Sequence, residues 1–117
     1  MSNHHKINYV EFPAKDMFLT KTFFSKVFDW KFQDYGSEYS SFLGAGIDGG
    51  FYKSELVAVA KKGGVLIVFY SENLEDSEQQ VCDAGGEIVE PIFQFPGGRR
   101  FHFADPNGNE FAIWSDK

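Results

Sequence analysis

Residues 7–30 read Ile-Asn-Tyr-Val-Glu-Phe-Pro-Ala-Lys-Asp-Met-Phe-Leu-Thr-Lys-Thr-Phe-Phe-Ser-Lys-Val-Phe-Asp-Trp, and they carry the pattern on which the fold turns. Ile7 to Phe12 alternates and is rich in strand formers, so it predicts a strand that Pro13 ends. Asp16 is placed as the N-cap of a helix over about Met17 to Phe28. Leu19, Phe23 and Val27 stack at spacing four, with Thr20, Phe24 and Phe28 beside them. A stripe that wide is expected of a helix laid on a sheet. Three short strands follow, Trp30 to Asp34, Tyr39 to Leu43 and Gly50 to Tyr52, separated by turn residues among Gly44, Gly46, Asp48 and Gly49.

The second half repeats this order. Val65 to Tyr70 predicts a strand, Asn73 a cap, Leu74 to Ala84 a helix, and Gly85-Gly86 its stop. Short strands are expected at Glu87 to Val89 and Ile92 to Phe95, and longer ones at Arg99 to Ala104 and Glu110 to Trp114. Asp105-Pro106-Asn107-Gly108-Asn109 between the last two is turn chemistry, so they pair as a hairpin. Overlaying the halves puts Tyr9 on Leu66, Asp16 on Asn73, Phe24 on Val81 and Trp30 on Glu87. The expectation is α+β: a duplication of two βαβββ modules within one domain spanning 1–117. Module one covers about 7–53, a linking loop 54–64, and module two 65–114.

Composition bounds the function. With 117 residues, 43% hydrophobic and 18% aromatic, the chain is too apolar for disorder. A single cysteine, Cys82, rules out a disulfide scaffold, and its place beside Val81 in the helix predicts packing rather than reactivity. The longest apolar run, Val65 to Tyr70, is too short to span a bilayer, and no signal peptide is expected. The net charge of −6 argues against a nucleic-acid partner. A cytoplasmic protein with neither nucleic acid nor membrane as partner is expected.

Alternation along the strands sorts the faces. Val10, Phe12, Ile67, Phe69, Phe101, Phe103, Phe111 and Ile113 share one parity, are all apolar, and should face the helices. The other parity brings Tyr9, Glu11, Tyr70, Arg100, His102, Glu110 and Trp114 to the opposite face. Apolar walls with a few polar groups are the composition of a ligand cleft. The hairpin register sets Ala104 against Glu110, His102 against Ala112, and Arg100 against Trp114 as a cation–π pair. Glu11 pairing with Arg100, and anion binding by Arg99-Arg100, are the alternatives.

Tyr-Val-Glu-Phe-Pro-Ala-Lys-Asp (9–16) and Phe-Phe-Ser-Lys-Val-Phe-Asp-Trp (23–30) resemble the opening of glyoxalase/bleomycin-resistance/extradiol-dioxygenase domains, the vicinal-oxygen-chelate superfamily. Asp29 stands where that family usually has glycine. Ala-Gly-Gly (84–86), Gly-Gly-Arg (97–99) and Phe-x-Asp-Pro-x-Gly-Asn-x-Phe (103–111) resemble its ending. The resemblance implies an open, cup-like mixed sheet with the helices outside, a homodimer, and metal ligands at four strand positions. Those fall here on Tyr9, Leu66, Ala112 and a residue near Gly50 to Lys53, none of them His, Glu or Gln. No metal and no cofactor is therefore expected; a divalent metal held instead by His4, His5 or His102 is disfavoured.

The resemblance then implies three readings. The first is a metal-free small-molecule binder, as in drug-sequestering bleomycin-resistance members. The second is an enzyme related to lactoylglutathione lyase or to the dioxygenases, using a displaced metal or His102 or Glu11 as general base. The third is a regulatory domain using its sheet edges.

Overall fold

A computed structural model describes residues 2–117. In chain order the elements are β1 (Tyr9–Ala14), α1 (Met17–Phe28), β2 (Lys31–Asp34), β3 (Tyr39–Leu43), β4 (Asp48–Lys53), β5 (Ile67–Tyr70), α2 (Leu74–Asp83), β6 (Glu87–Phe95), β7 (Gly98–Ala104) and β8 (Glu110–Ser115). The eight strands form two mixed sheets of four, ordered β1-β4-β3-β2 and β5-β8-β7-β6. The duplication is thus present in the topology. Glu11 lies beside Gly50 in the parallel β1–β4 pair, as Val68 lies beside Ala112 in β5–β8.

The helix signals work as their chemistry requires. Asp16 accepts the Leu19 amide and Asn73 the Asp76 amide. Asp29 takes the glycine's place in the left-handed region, φ 58°, where its amide closes α1. Trp30, expected to begin β2, lies before it and is buried against Phe24 and Phe42.

Pro13 does not end β1. It sits inside the strand opposite Tyr52. The reason is position: β1 is an edge strand, and the Pro13 carbonyl points away from β4 to accept from Asn109 Nδ2. In an extended chain the amide nitrogen of a residue shares the direction of its carbonyl, so no ladder donor is lost. Glu87 to Val89 and Ile92 to Phe95 are likewise one strand, β6, whose register slips on both sides of Glu90. It too is an edge, where Pro91 and bulges are tolerated.

The core lies between the sheets. Phe12, Phe42 and Phe51 of the first sheet, Phe101, Phe103, Phe111 and Ile113 of the second, and Phe23 and Phe24 of α1 form one buried cluster. Phe24 reaches both sheets, its ring 5.4 Å from Phe51 and 5.4 Å from Phe111. Phe28 stacks on Phe69 at 4.2 Å. Leu19, expected in the stripe, stays exposed, because Met17 and Thr20 complete the buried face instead. Cys82 is exposed as well, although it directly follows the buried Val81 in α2, which corrects its expected packing.

The 105–109 turn fastens the modules together. Asn107 accepts the Asp16 amide and donates to the Asp16 carbonyl and Thr20 Oγ1. Asn109, buried, donates to the Pro13 carbonyl and accepts from the Ala58 amide. Burial pushes the Asp105 carboxyl up to about 6, although amides of Asn109, Asn107 and Gly108 bond to it. No helix among the described residues is long and apolar enough to cross a membrane.

Candidate functional site

The faces turned away from the core carry the polar groups, and the structure divides them into three sets. On the first sheet, Tyr39 Oη donates to Glu11 Oε2 at 2.9 Å and lies 2.6 Å from Tyr9 Oη. The Tyr39 ring fills the space above Gly50, where any side chain would collide with it. The hydroxyl is held from ionising by burial first and by Tyr9 and Glu11 next, so it stays a donor. Tyr39 is absent from the residues singled out in the sequence; its parity with Ser41 on β3 was the available signal.

The second set is Tyr70 and Trp114, edge-on at 5.2 Å, with Phe95 against Trp114. Tyr70 Oη donates to Asp116, not toward the other polar groups.

The third set faces a hollow of about 590 Å³ lined by Ala60, Lys61, Val89, Glu90, Phe93, Arg100, His102 and Glu110. The hairpin register is the expected one: Arg100 opposite Trp114, His102 opposite Ala112, Ala104 opposite Glu110. Glu110 organises this site. Its Oε2 lies 2.8 Å from His102 Nδ1, and its Oε1 accepts the Ala60 amide at 3.0 Å. Partial burial pushes its carboxyl up, but His102, the Ala60 amide and Lys61 together pull it below its ordinary value. A carboxylate so held fixes the tautomer, with Nδ1–H toward Glu110 and Nε2 the unprotonated nitrogen of the neutral ring.

Two of these groups are left with nothing to bond. Arg100 Nε and His102 Nε2 are buried and without a partner among the described residues. Arg100 does not stack on Trp114 as expected, nor does it pair with Glu11. Its guanidinium lies over Phe93 at 5.4 Å and Phe95 at 5.7 Å, because β6 flanks β7 on the side away from β8. Arg99, the other half of the anion candidate, is spent on Glu75 and the Lys117 carbonyl. Phe93, Val89 and Glu90 are not among the residues expected at the site, since the sequence predicts two short strands where β6 is continuous. Ala60 and Lys61 come from the linking loop, whose docking the chain does not announce locally.

The donor set at the four family positions does not fit a divalent metal. Gly50 and Ala112 are the equivalent residues of the two modules, and neither has a donor. Leu66 is apolar, and the Tyr9 hydroxyl is engaged with Tyr39. No group of three or more His, Cys, Asp or Glu is clustered elsewhere among the described residues. What the arrangement does supply is a carboxylate-oriented imidazole beside an aromatic-bracketed guanidinium. Those groups can bind and orient a small molecule and exchange a proton with it.

The model of the Glyoxalase/Bleomycin resistance protein/Dioxygenase superfamily matches residues 6–113. A glyoxalase-related enzyme from Fulvimarina pelagi superposes with TM-score 0.79 at 15% identity, over 95% of this chain and 88% of that one. A glyoxalase/bleomycin resistance protein/dioxygenase family enzyme from Burkholderia phytofirmans gives 0.76 at 16%, over 94% and 98%. A mutant fosfomycin resistance protein from Listeria monocytogenes, solved with Mn(II) and a dihydroxypropylphosphonic acid, gives 0.77 at 20%, over 94% and 89%. At these identities the likeness is one of fold. No curated protein sequence matches the chain.

Proposed function

We propose a small-molecule binding function for this chain, which belongs to the Glyoxalase/Bleomycin resistance protein/Dioxygenase superfamily and lacks the side chains that would hold a metal at the family positions. The observation that carries the reading is the pair of buried, unpartnered nitrogens, Arg100 Nε and His102 Nε2, that belong to one hollow. Leaving a buried polar group unmade costs about 1–3 kcal/mol, a penalty that a bound ligand relieves. Val89, Phe93 and Ala60 supply the apolar walls.

The test is a thermal-shift screen of small organic molecules against the native protein, Arg100→Met and His102→Gln. A ligand at about a hundred times its Kd stabilises by about 2.7 kcal/mol, on the order of 10 °C in Tm for a chain of this size. Both variants are expected to remove most of that shift. Hits indifferent to both substitutions contradict the reading. The 2.8 Å contact between Glu110 and His102 favours a second reading, in which the dyad is a general base. It requires a reaction that His102→Gln abolishes while the substrate still binds.

The set of Tyr9, Glu11 and Tyr39 shares no hollow with His102 in one chain. Tyr9, Tyr70, Val68 and Val89 are all more than 40% exposed. We infer that a homodimer brings the outer face of one copy's first sheet against the second sheet of the other, completing a cup from both chains. The mass of the native particle tests it: two chains are expected, and one contradicts it.

A further inference from the structure

We propose that the ligand of the Arg100–His102 hollow is a planar, largely apolar monocarboxylate, bound as its anion with uptake of a proton. This rests on the reading of that hollow as the binding site.

The sign of the ligand follows from which groups are already satisfied. Both oxygens of Glu110 are engaged, Oε2 by His102 and Oε1 by the Ala60 amide. A cationic ligand would therefore find little acceptor capacity at the floor of the hollow, and it would lie beside Arg100 and Lys61. The unused capacity belongs to nitrogens. Arg100 Nε–H can only donate, and none of the ion pairs among the described residues involves Arg100. With Nδ1–H directed at Glu110, His102 Nε2 donates only when the ring is protonated. A carboxylate supplies two acceptors on one rigid plane. Arg100 and His102 sit two residues apart on one face of β7, about 7 Å between Cα atoms.

The shape follows from the walls. Phe93 lies 5.9 Å from the His102 ring, tilted to it, and beneath the Arg100 guanidinium, so one aromatic surface borders both donors. A flat, conjugated body lies against that surface with its carboxylate toward the nitrogens. The proton follows from the charges facing His102: Glu110 on β8, Arg100 on β7, Glu90 on β6 and Lys61 of the linking loop. Adding an anion to this set favours the imidazolium, so the ring takes a proton from solvent as the ligand enters. Glu90 is exposed, and solvent and salt screen its repulsion.

The probes are cinnamate, cinnamamide and cinnamylammonium, which differ at the head group and share the planar body. Calorimetric titration of the native protein, in two buffers of different ionisation enthalpy above neutral pH, reads affinity and proton uptake together. Cinnamate is expected to bind about tenfold or more tighter than the amide, with the ammonium weakest, and with uptake approaching one proton. His102→Gln is expected to weaken cinnamate binding, and the binding that remains is expected to proceed without uptake. Arg100→Met is expected to weaken binding and to show no preference for the acid in what remains, and the native comparison stands whether or not that variant folds. Equal binding of acid and amide, binding without proton uptake, or preference for the ammonium overturns the proposal and leaves the hollow as a binding site. Failure of all three probes at millimolar concentration overturns both.

Discussion

Phe111→Ala is expected to cost about 3–5 kcal/mol and to bring both modules down in one transition. The Phe111 ring is fully buried and meets Phe12 at 5.2 Å, Phe24 at 5.4 Å, Phe69 at 5.9 Å and Phe103 at 5.6 Å. Those neighbours come from β1, α1, β5 and β7, so the cavity left behind is lined from both sheets and cannot close by moving one of them. A domain of this size is stable by roughly 5–15 kcal/mol, which puts the variant near the margin. Urea unfolding monitored separately through Trp30 in module one and Trp114 in module two, each in a variant with the other replaced by Phe, should give coincident curves at a lowered midpoint. A second module that unfolds while Trp30 still reports a native environment would show that the core is not shared.

Asn109→Ala is expected to cost about 2–4 kcal/mol, unusual for a turn residue. Its side chain is buried and holds the Pro13 carbonyl at 2.7 Å and the Ala58 amide at 2.9 Å. Truncation strands a buried acceptor on β1 and a donor on the linking loop, at about 1–3 kcal/mol each. Asn109→Asp keeps the acceptor for Ala58 but sets a second carboxylate beside Asp105. Burial raises the Asp105 carboxyl to about 6, so the native state holds its proton more tightly than the unfolded chain does. The native state takes up that proton as pH falls through about 6, before the unfolded chain does, and the repulsion between the two carboxyls is then relieved. Thermal denaturation of Asn109→Asp should therefore lie further below that of the native protein at about pH 7 than at about pH 5. Equal losses at both would show that the two groups do not interact.

These two residues also mark what the chain discloses locally. Helix caps, the 105–109 turn and the β7–β8 register depend on neighbours in sequence, and each could be read there. The apolar parity of the strands was enough to separate core from outer face, Phe111 and Ile113 on one side and His102 and Arg100 on the other. What escaped depends on neighbours distant in the chain. Pro13 is acceptable because β1 is an edge, a fact about strand order. Tyr39 belongs with Glu11 because Gly50, on the strand between them, leaves room for its ring. Arg100 leans on Phe93 and Phe95, not Trp114, because a single long β6 runs along that flank of β7. The linking loop joins the hollow through Glu110, whose carboxylate accepts the Ala60 amide and whose own amide donates to the Ala58 carbonyl, and no local pattern encodes either bond.

Glycine and alanine stand at Gly50 and Ala112, and a tyrosine–glutamate set and a histidine–glutamate pair lie beside them. Native mass spectrometry after dialysis against Mn(II) and zinc tests this most directly. The expected particle has the mass of two chains with no metal retained, before and after the metals are added. One metal ion held per chain would contradict the account, since ligands would then have to come from residues other than those at the four family positions.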